Sequence, residues 1–103
     1  MFIMTTVIYP PDKAVKMAKK FIEATAKPLP PFIKRLHILS NVRVDVGMKI
    51  HGIYEVDDAK IKEGIIELGK YFMQFNDIEG CKYEIEPMLT VQEAMPLLGI
   101  KMP

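Results

Sequence analysis

His37 and His51 are the side chains best suited to chemistry in this chain of 103 residues. Imidazole is the side chain whose ordinary pKa lets it exchange a proton near neutral pH. Each histidine falls in a run of alternating residues, Ile33 to Ser40 and Met48 to Val56, and alternation at period two marks a strand. If the connecting turn centres near Val44, the two histidines oppose each other on neighbouring strands, with Cβ atoms roughly 4.5–5.5 Å apart. Glu55 then lies on the same face, further along the third strand, where it would orient an imidazole. Arg35, Leu39, Asn41, Lys49 and Ile53 share that face by the same count, with Lys82, Glu84 and Glu86 from the last strand. A slip of one residue would dissolve the arrangement.

Two uses follow from these residue types. Apolar Leu39 and Ile53 would supply contact area for a small, partly apolar molecule that His37, His51, Arg35 and Glu55 orient. Alternatively, His51 or His37 would move a proton on a bound substrate. Tyr54 joins Arg35, Leu39 and Ile53 as a ligand-contacting candidate. For Tyr54 and Tyr9 alike, the ordinary alternative is a buried ring with its hydroxyl satisfied locally. Asn41 and Arg43 could hold an anion at the sheet edge, or be a turn residue and a solvated charge. Glu55 or Glu84 could add a third ligand to the histidines. No Cys/His or HExxH spacing supports a metal, however, and neither metal nor cofactor is expected. Cys81 has no cysteine partner, so it reads as an inert thiol and fits a reducing, cytoplasmic setting.

The elements that must carry these residues read in the order β-α-β-β-α-β. Phe2 to Tyr9 is a strand, closed by Pro10-Pro11. It has no basic segment before it and does not read as a signal peptide. Ala14, Val15, Ala18, Phe21, Ile22 and Thr25 recur at helical spacing opposite a lysine-rich face, and Pro28-Leu29-Pro30-Pro31 stops that helix. After the two central strands, Asp57 and Asp58 suit a helix N-terminus, and Ile61, Ile65, Leu68, Phe72 and Phe75 form the strongest apolar stripe. Gly52 inside the third strand signals a bulge or a close approach. Cys81 to Leu89 is the fourth strand. Thr90 and Glu93 match a capping box for a short last helix that Gly99 ends. This order predicts an α+β fold of one domain, residues 1–103: a four-stranded antiparallel sheet with two helices on one face.

The chain resembles the dimeric α/β-barrel superfamily of ferredoxin-like domains, closest to an uncharacterised branch of short proteins. The resemblance rests on the proline-rich stop after the first helix and on Gly47-Met48-Lys49-Ile50-His51-Gly52-Ile53-Tyr54-Glu55-Val56-Asp57-Asp58 leading into the second. The ending Tyr83-Glu84-Ile85-Glu86-Pro87-Met88-Leu89-Thr90, followed by Glu93-Ala94, also fits. It implies a homodimer whose sheets face each other. Its members include cofactor-free monooxygenases, isomerases, dehalogenation-type enzymes, haem-handling proteins and ligand-sensing domains. No catalytic motif of theirs is matched here, and fold alone does not assign function.

Composition narrows the partners. Half the residues are apolar, a surplus that a second subunit would cover. Fourteen basic and 13 acidic residues leave no pull toward nucleic acid. The third strand also lacks the paired aromatics on which ferredoxin-like RNA binders stack bases. No Cys-x-x-Cys, P-loop or Gly-x-Gly-x-x-Gly is present. No apolar run reaches the ~20 residues of a membrane span. The expectation is a homodimer that binds a small molecule, with a cofactor-free enzyme or a purely structural dimer as alternatives. The apolar tail after Ala94 is expected to pack on its own subunit or its mate.

Overall fold

The computed structural model describes residues 1–41 and 47–101. Four strands form one antiparallel sheet: β1 (Phe2–Tyr9), β2 (Ile33–Asn41), β3 (Met48–Val56) and β4 (Lys82–Met88). Their order across the sheet is β2-β3-β1-β4. Three helices accompany it: α1 (Ala14–Thr25), α2 (Ile61–Met73) and the short α3 (Val91–Ala94).

Alternation in β1 sends Ile3, Thr5, Val7 and Tyr9 to one side, where all four are buried. One core cluster joins Val7 and Tyr9 to Met17 and Ala24 of α1 and Phe72 of α2, with Phe75 and Ile78 just beyond it. A second joins Ile3, Ile33, Tyr54 and Val56 to Leu68 of α2. Both long helices therefore cover one sheet face, and the other face carries no helix of the core.

The α2 stripe is as expected up to Phe72, but the helix ends at Met73, so Phe75 is buried from the turn that follows. In α1 the buried line is Met17 and Ala24, with Ala14 and Phe21 partly covered, while Val15 and Ile22 are each 69% exposed. The apolar arc of α1 is broad, so its sequence left the inward direction open. The core cluster with Val7, Tyr9, Phe72, Phe75 and Ile78 settles it by taking up Met17 and Ala24. Lys20 reinforces this orientation by pairing with Asp77, and its hydrogen bond holds the Asp77 carboxyl below the ordinary value.

Neither Asp57 nor Asp58 caps α2 with its side chain. A 3-10 turn, Asp58–Lys60, comes first, and the Asp58 carboxylate accepts from the Met1 amino group at 2.5 Å. The capping box is formed as expected: Glu93 N–H donates to Thr90 Oγ1 at 3.2 Å, and Thr90 N–H donates to Glu93 Oε1 at 3.0 Å. Gly99 ends that segment with φ +73°. In the tail, Leu97 and Leu98 stay 76% and 72% exposed, so these two are not covered within this chain. The Cα radius of gyration, 15.5 Å, exceeds the ~13 Å of a packed domain this long.

Candidate functional site

The face without helices is built from four cross-strand rows. Read from β2 through β3 and β1 to β4, they are Lys34–Glu55–Phe2–Met88, His37–Ile53–Met4–Glu86, Leu39–His51–Thr6–Glu84, and Asn41–Lys49–Ile8–Lys82. Phe2, Met4, Ile8 and Ile53 form an apolar, half-buried centre. Charged and polar residues stand at both edges. Glu84 and Glu86 make an acidic column on β4, while Lys34 and His37 occupy β2.

His37 and His51 share this face but are not directly opposite. His37 pairs with Ile53 and Leu39 pairs with His51, because the hairpin register centres one position beyond Val44. The histidines are diagonal neighbours, roughly 7–8 Å apart. His51 instead meets Thr6, whose Oγ1 lies 3.3 Å from its Nδ1 across the β1–β3 pair. Thr6 is buried and holds the imidazole from below. Glu55 stands four residues along the same strand, a span of about 13 Å, so Thr6 is the partner that orients His51. Glu55 faces Lys34 across the β2–β3 pair.

Arg35 is not on this face. Between Arg35 and His37 the register slips by one, and Leu36 is the extra residue of a β-bulge. The bulge turns Arg35 to the helix side, opposite Tyr54, and turns Lys34 outward to the open side. The Arg35 guanidinium carbon lies 5.7 Å from the Tyr54 ring centroid and 5.8 Å from that of Tyr71 in α2. Tyr54 is 1% exposed and belongs to the core, so neither it nor Arg35 reaches a molecule on the open face. Gly52 is a close approach and not the bulge. A Cβ there would meet Thr5 Oγ1 at 2.6 Å and Tyr54 Cε2 at 2.7 Å, so the Tyr54 ring needs a glycine beside it.

The other candidates take bland positions. Tyr9 is buried, which raises its hydroxyl above the ordinary pKa. Cys81 precedes β4, packs against the core, and has its thiol pushed up by burial. Asn41 is exposed opposite Lys49, while Arg43 falls outside the described residues. Among the described residues, no three His, Cys, Asp or Glu side chains gather as a metal site would require.

Sequence reasoning passed over Phe2, Thr6 and Ile8. Both faces of β1 are rich in apolar or β-branched residues, so alternation alone does not say which side is covered. It also passed over Tyr71, which lies next to the α2 stripe. The signal available there was a polar-tipped aromatic beside Phe72, where a buried hydroxyl needs a partner.

Fold and site together define the class: an α+β protein with an open, four-stranded antiparallel sheet and three helices, whose uncovered sheet face mixes apolar and ionisable side chains. No known protein family matches the chain, and no curated protein matches it. Among solved structures it is similar to a DUF3240 family protein from Shewanella baltica OS155, with 12% identity over 86% of this chain and 91% of that one. The TM-score is 0.33, a likeness too slight to bear on function. Among the described residues, no helix is long and apolar enough to cross a membrane.

Proposed function

We propose that this protein is a cytoplasmic homodimer of the ferredoxin-like, dimeric α/β-barrel type, which holds a small, partly apolar molecule between its two open sheet faces. The strand order β2-β3-β1-β4, with both long helices on one face, supports the fold reading. One observation carries the functional reading: the row His37–Ile53–Met4–Glu86 puts apolar contact area between ionisable edges, and the next row sets His51 beside it, between Leu39 and Thr6. Exposed Leu39 and half-buried Ile53 and Met4 would supply area, and His37 and His51 direction. A two-fold axis parallel to the strands would lay β2 over β4 of the second copy, bringing His37 toward a glutamate column. That self-complementarity suits an isologous contact.

A second reading is favoured by the Thr6–His51 contact alone. With Nδ1 held by a buried hydroxyl, His51 is oriented for proton transfer through Nε2.

The test is native mass spectrometry of the wild type and Ile53→Lys, with thermal shifts against a metabolite panel. The expected result is a dimer that Ile53→Lys dissociates and that a partly apolar metabolite stabilises by RT ln(1 + [L]/Kd). A wild-type monomer, or a dimer indifferent to Ile53→Lys, refutes the facing-sheet arrangement. His51→Ala separates the two readings, because the enzyme loses turnover while the dimer persists.

A further inference from the structure

The bulge at Leu36 leaves Arg35 in an unusual position. Its Nε and Nη2 are buried, and among the described residues neither has a hydrogen-bond partner. The Tyr71 hydroxyl is likewise buried without a partner among the described residues. Two tyrosine rings flank the guanidinium, and no carboxylate pairs with it among the described residues. Burying a cation and a hydroxyl unpaired is costly, and each such group in a native structure calls for an explanation.

Tyr71 also lines a surface cleft of about 260 Å³, which Arg35 itself does not line. Lys27, Pro28, Leu29 and Pro30, from the connection between α1 and β2, form one wall, and Glu67, Lys70 and Gln74 of α2 form the other. Lys70 pairs loosely with Glu67 at 3.5 Å, and among the described residues neither Lys27 nor the Arg35 beside Tyr71 pairs with a carboxylate. Gln74 is anchored, donating to the Tyr71 carbonyl at 2.6 Å. The cleft is thus cationic around an apolar wall of two prolines and a leucine.

We propose that this cleft binds a small carboxylate carried on an apolar body, with Tyr71 turning aside so that Arg35 Nε–H and Nη2–H donate in parallel to the two carboxylate oxygens. That pair of donors matches a carboxylate in plane and spacing. The Tyr71 hydroxyl gains an acceptor in the same movement, and Lys27 and Lys70 draw the anion in. The proline–leucine wall takes the apolar body. The site lies on the helix side of the sheet, so it is separate from the face between subunits.

The test is a titration with sodium benzoate, and with inorganic phosphate at matched ionic strength. It is followed by ¹H–¹⁵N spectra of the arginine Nε groups and by thermal unfolding. Benzoate is expected to shift the Arg35 Nε–H resonance and raise Tm, and phosphate is expected to do neither. Arg35→Lys keeps the charge and removes the fork, so affinity should fall by about tenfold or more. If Arg35→Lys does not fold, Lys27→Gln/Lys70→Gln decides, because both sites are surface-exposed and the pair should weaken benzoate binding. An equal response to phosphate overturns the carboxylate class. An unmoved Arg35 resonance, or binding indifferent to these variants, overturns the site.

Discussion

Tyr71→Phe removes one oxygen from a place where it costs stability. The hydroxyl is buried and has no partner among the described residues, and leaving such a group unpaired costs about 1–3 kcal/mol. Phenylalanine keeps the ring. Edge-on contacts with Phe72, at 5.1 Å and 82°, and with Phe75, at 6.1 Å and 68°, are retained, as is the aromatic face toward Arg35. The variant should therefore be more stable than the wild type by about 1 kcal/mol or more, which for a domain this size raises Tm by roughly 4–8 °C. Urea denaturation gives the answer as a higher midpoint at unchanged slope. Burial raises the pKa of Tyr71 in the folded state above its ordinary value of 10.0, an effect that the neighbouring Arg35 charge only partly offsets. The neutral hydroxyl is thus favoured in the fold. That contribution is fully present below the ordinary tyrosine pKa and is lost as pH rises through the folded value, so Tyr71→Phe should blunt the alkaline loss of stability. A lowered urea midpoint would show that the hydroxyl has a partner in the free protein, and the reasoning about the cleft would fall with it.

Gly52→Ala forces a Cβ against the Tyr54 ring and Thr5 Oγ1, and should cost about 1–3 kcal/mol by overpacking. A urea midpoint equal to the wild type's would mean that the ring moves freely, contrary to its burial. Cys81 should react slowly with iodoacetamide at pH 8, because burial keeps its thiol protonated past the ordinary range. Labelling should accelerate on unfolding, and equal rates in native and unfolded protein would contradict the packing of Cys81.

The order of strands and long helices was legible because each element has its own period and its own stop. Examples are Pro10-Pro11 after β1, Pro28 to Pro31 after α1 and Thr90 with Glu93 before α3. The inward direction of α1 was not legible, since Val15 and Ile22 are as apolar as the residues actually buried, and only the core cluster that takes up Met17 and Ala24 separates them. The open face was read correctly for β3 and β4, where alternation is strict. For β2 it held only beyond Leu36. A single extra residue inverts the faces of everything on one side of it, so Arg35 and Lys34 exchanged sides while His37, Leu39 and Asn41 kept theirs. No residue type in Lys34-Arg35-Leu36-His37 announces the bulge. The partner strand reveals it, by pairing Tyr54 with Arg35 and Ile53 with His37. The histidine geometry failed for a related reason, since a hairpin centre displaced by one position converts direct opposition into a diagonal.

The bulge makes a prediction that strand logic alone would reverse. In an uninterrupted strand, Arg35 and His37 would share a face, and here they stand on opposite ones. Deleting Leu36 should therefore leave both where they are, because Arg35 can still pair with Tyr54 and the next residue, His37, with Ile53 in unbroken alternation. The loss is the contact area of one half-buried leucine, of order 1–2 kcal/mol, together with the local twist that bulges add. Deleting Leu39 instead moves His37 and all that precedes it to the wrong faces, placing Arg35 and Ile33 against solvent or forcing a new register. Urea denaturation and ¹H–¹⁵N spectra of the two deletions should show a folded, modestly weakened protein for Leu36 and a collapsed or aggregated one for Leu39. If the Leu36 deletion unfolds and the Leu39 deletion does not, β2 is not bulged as described, and Arg35 returns to the face that its position in the sequence first suggested.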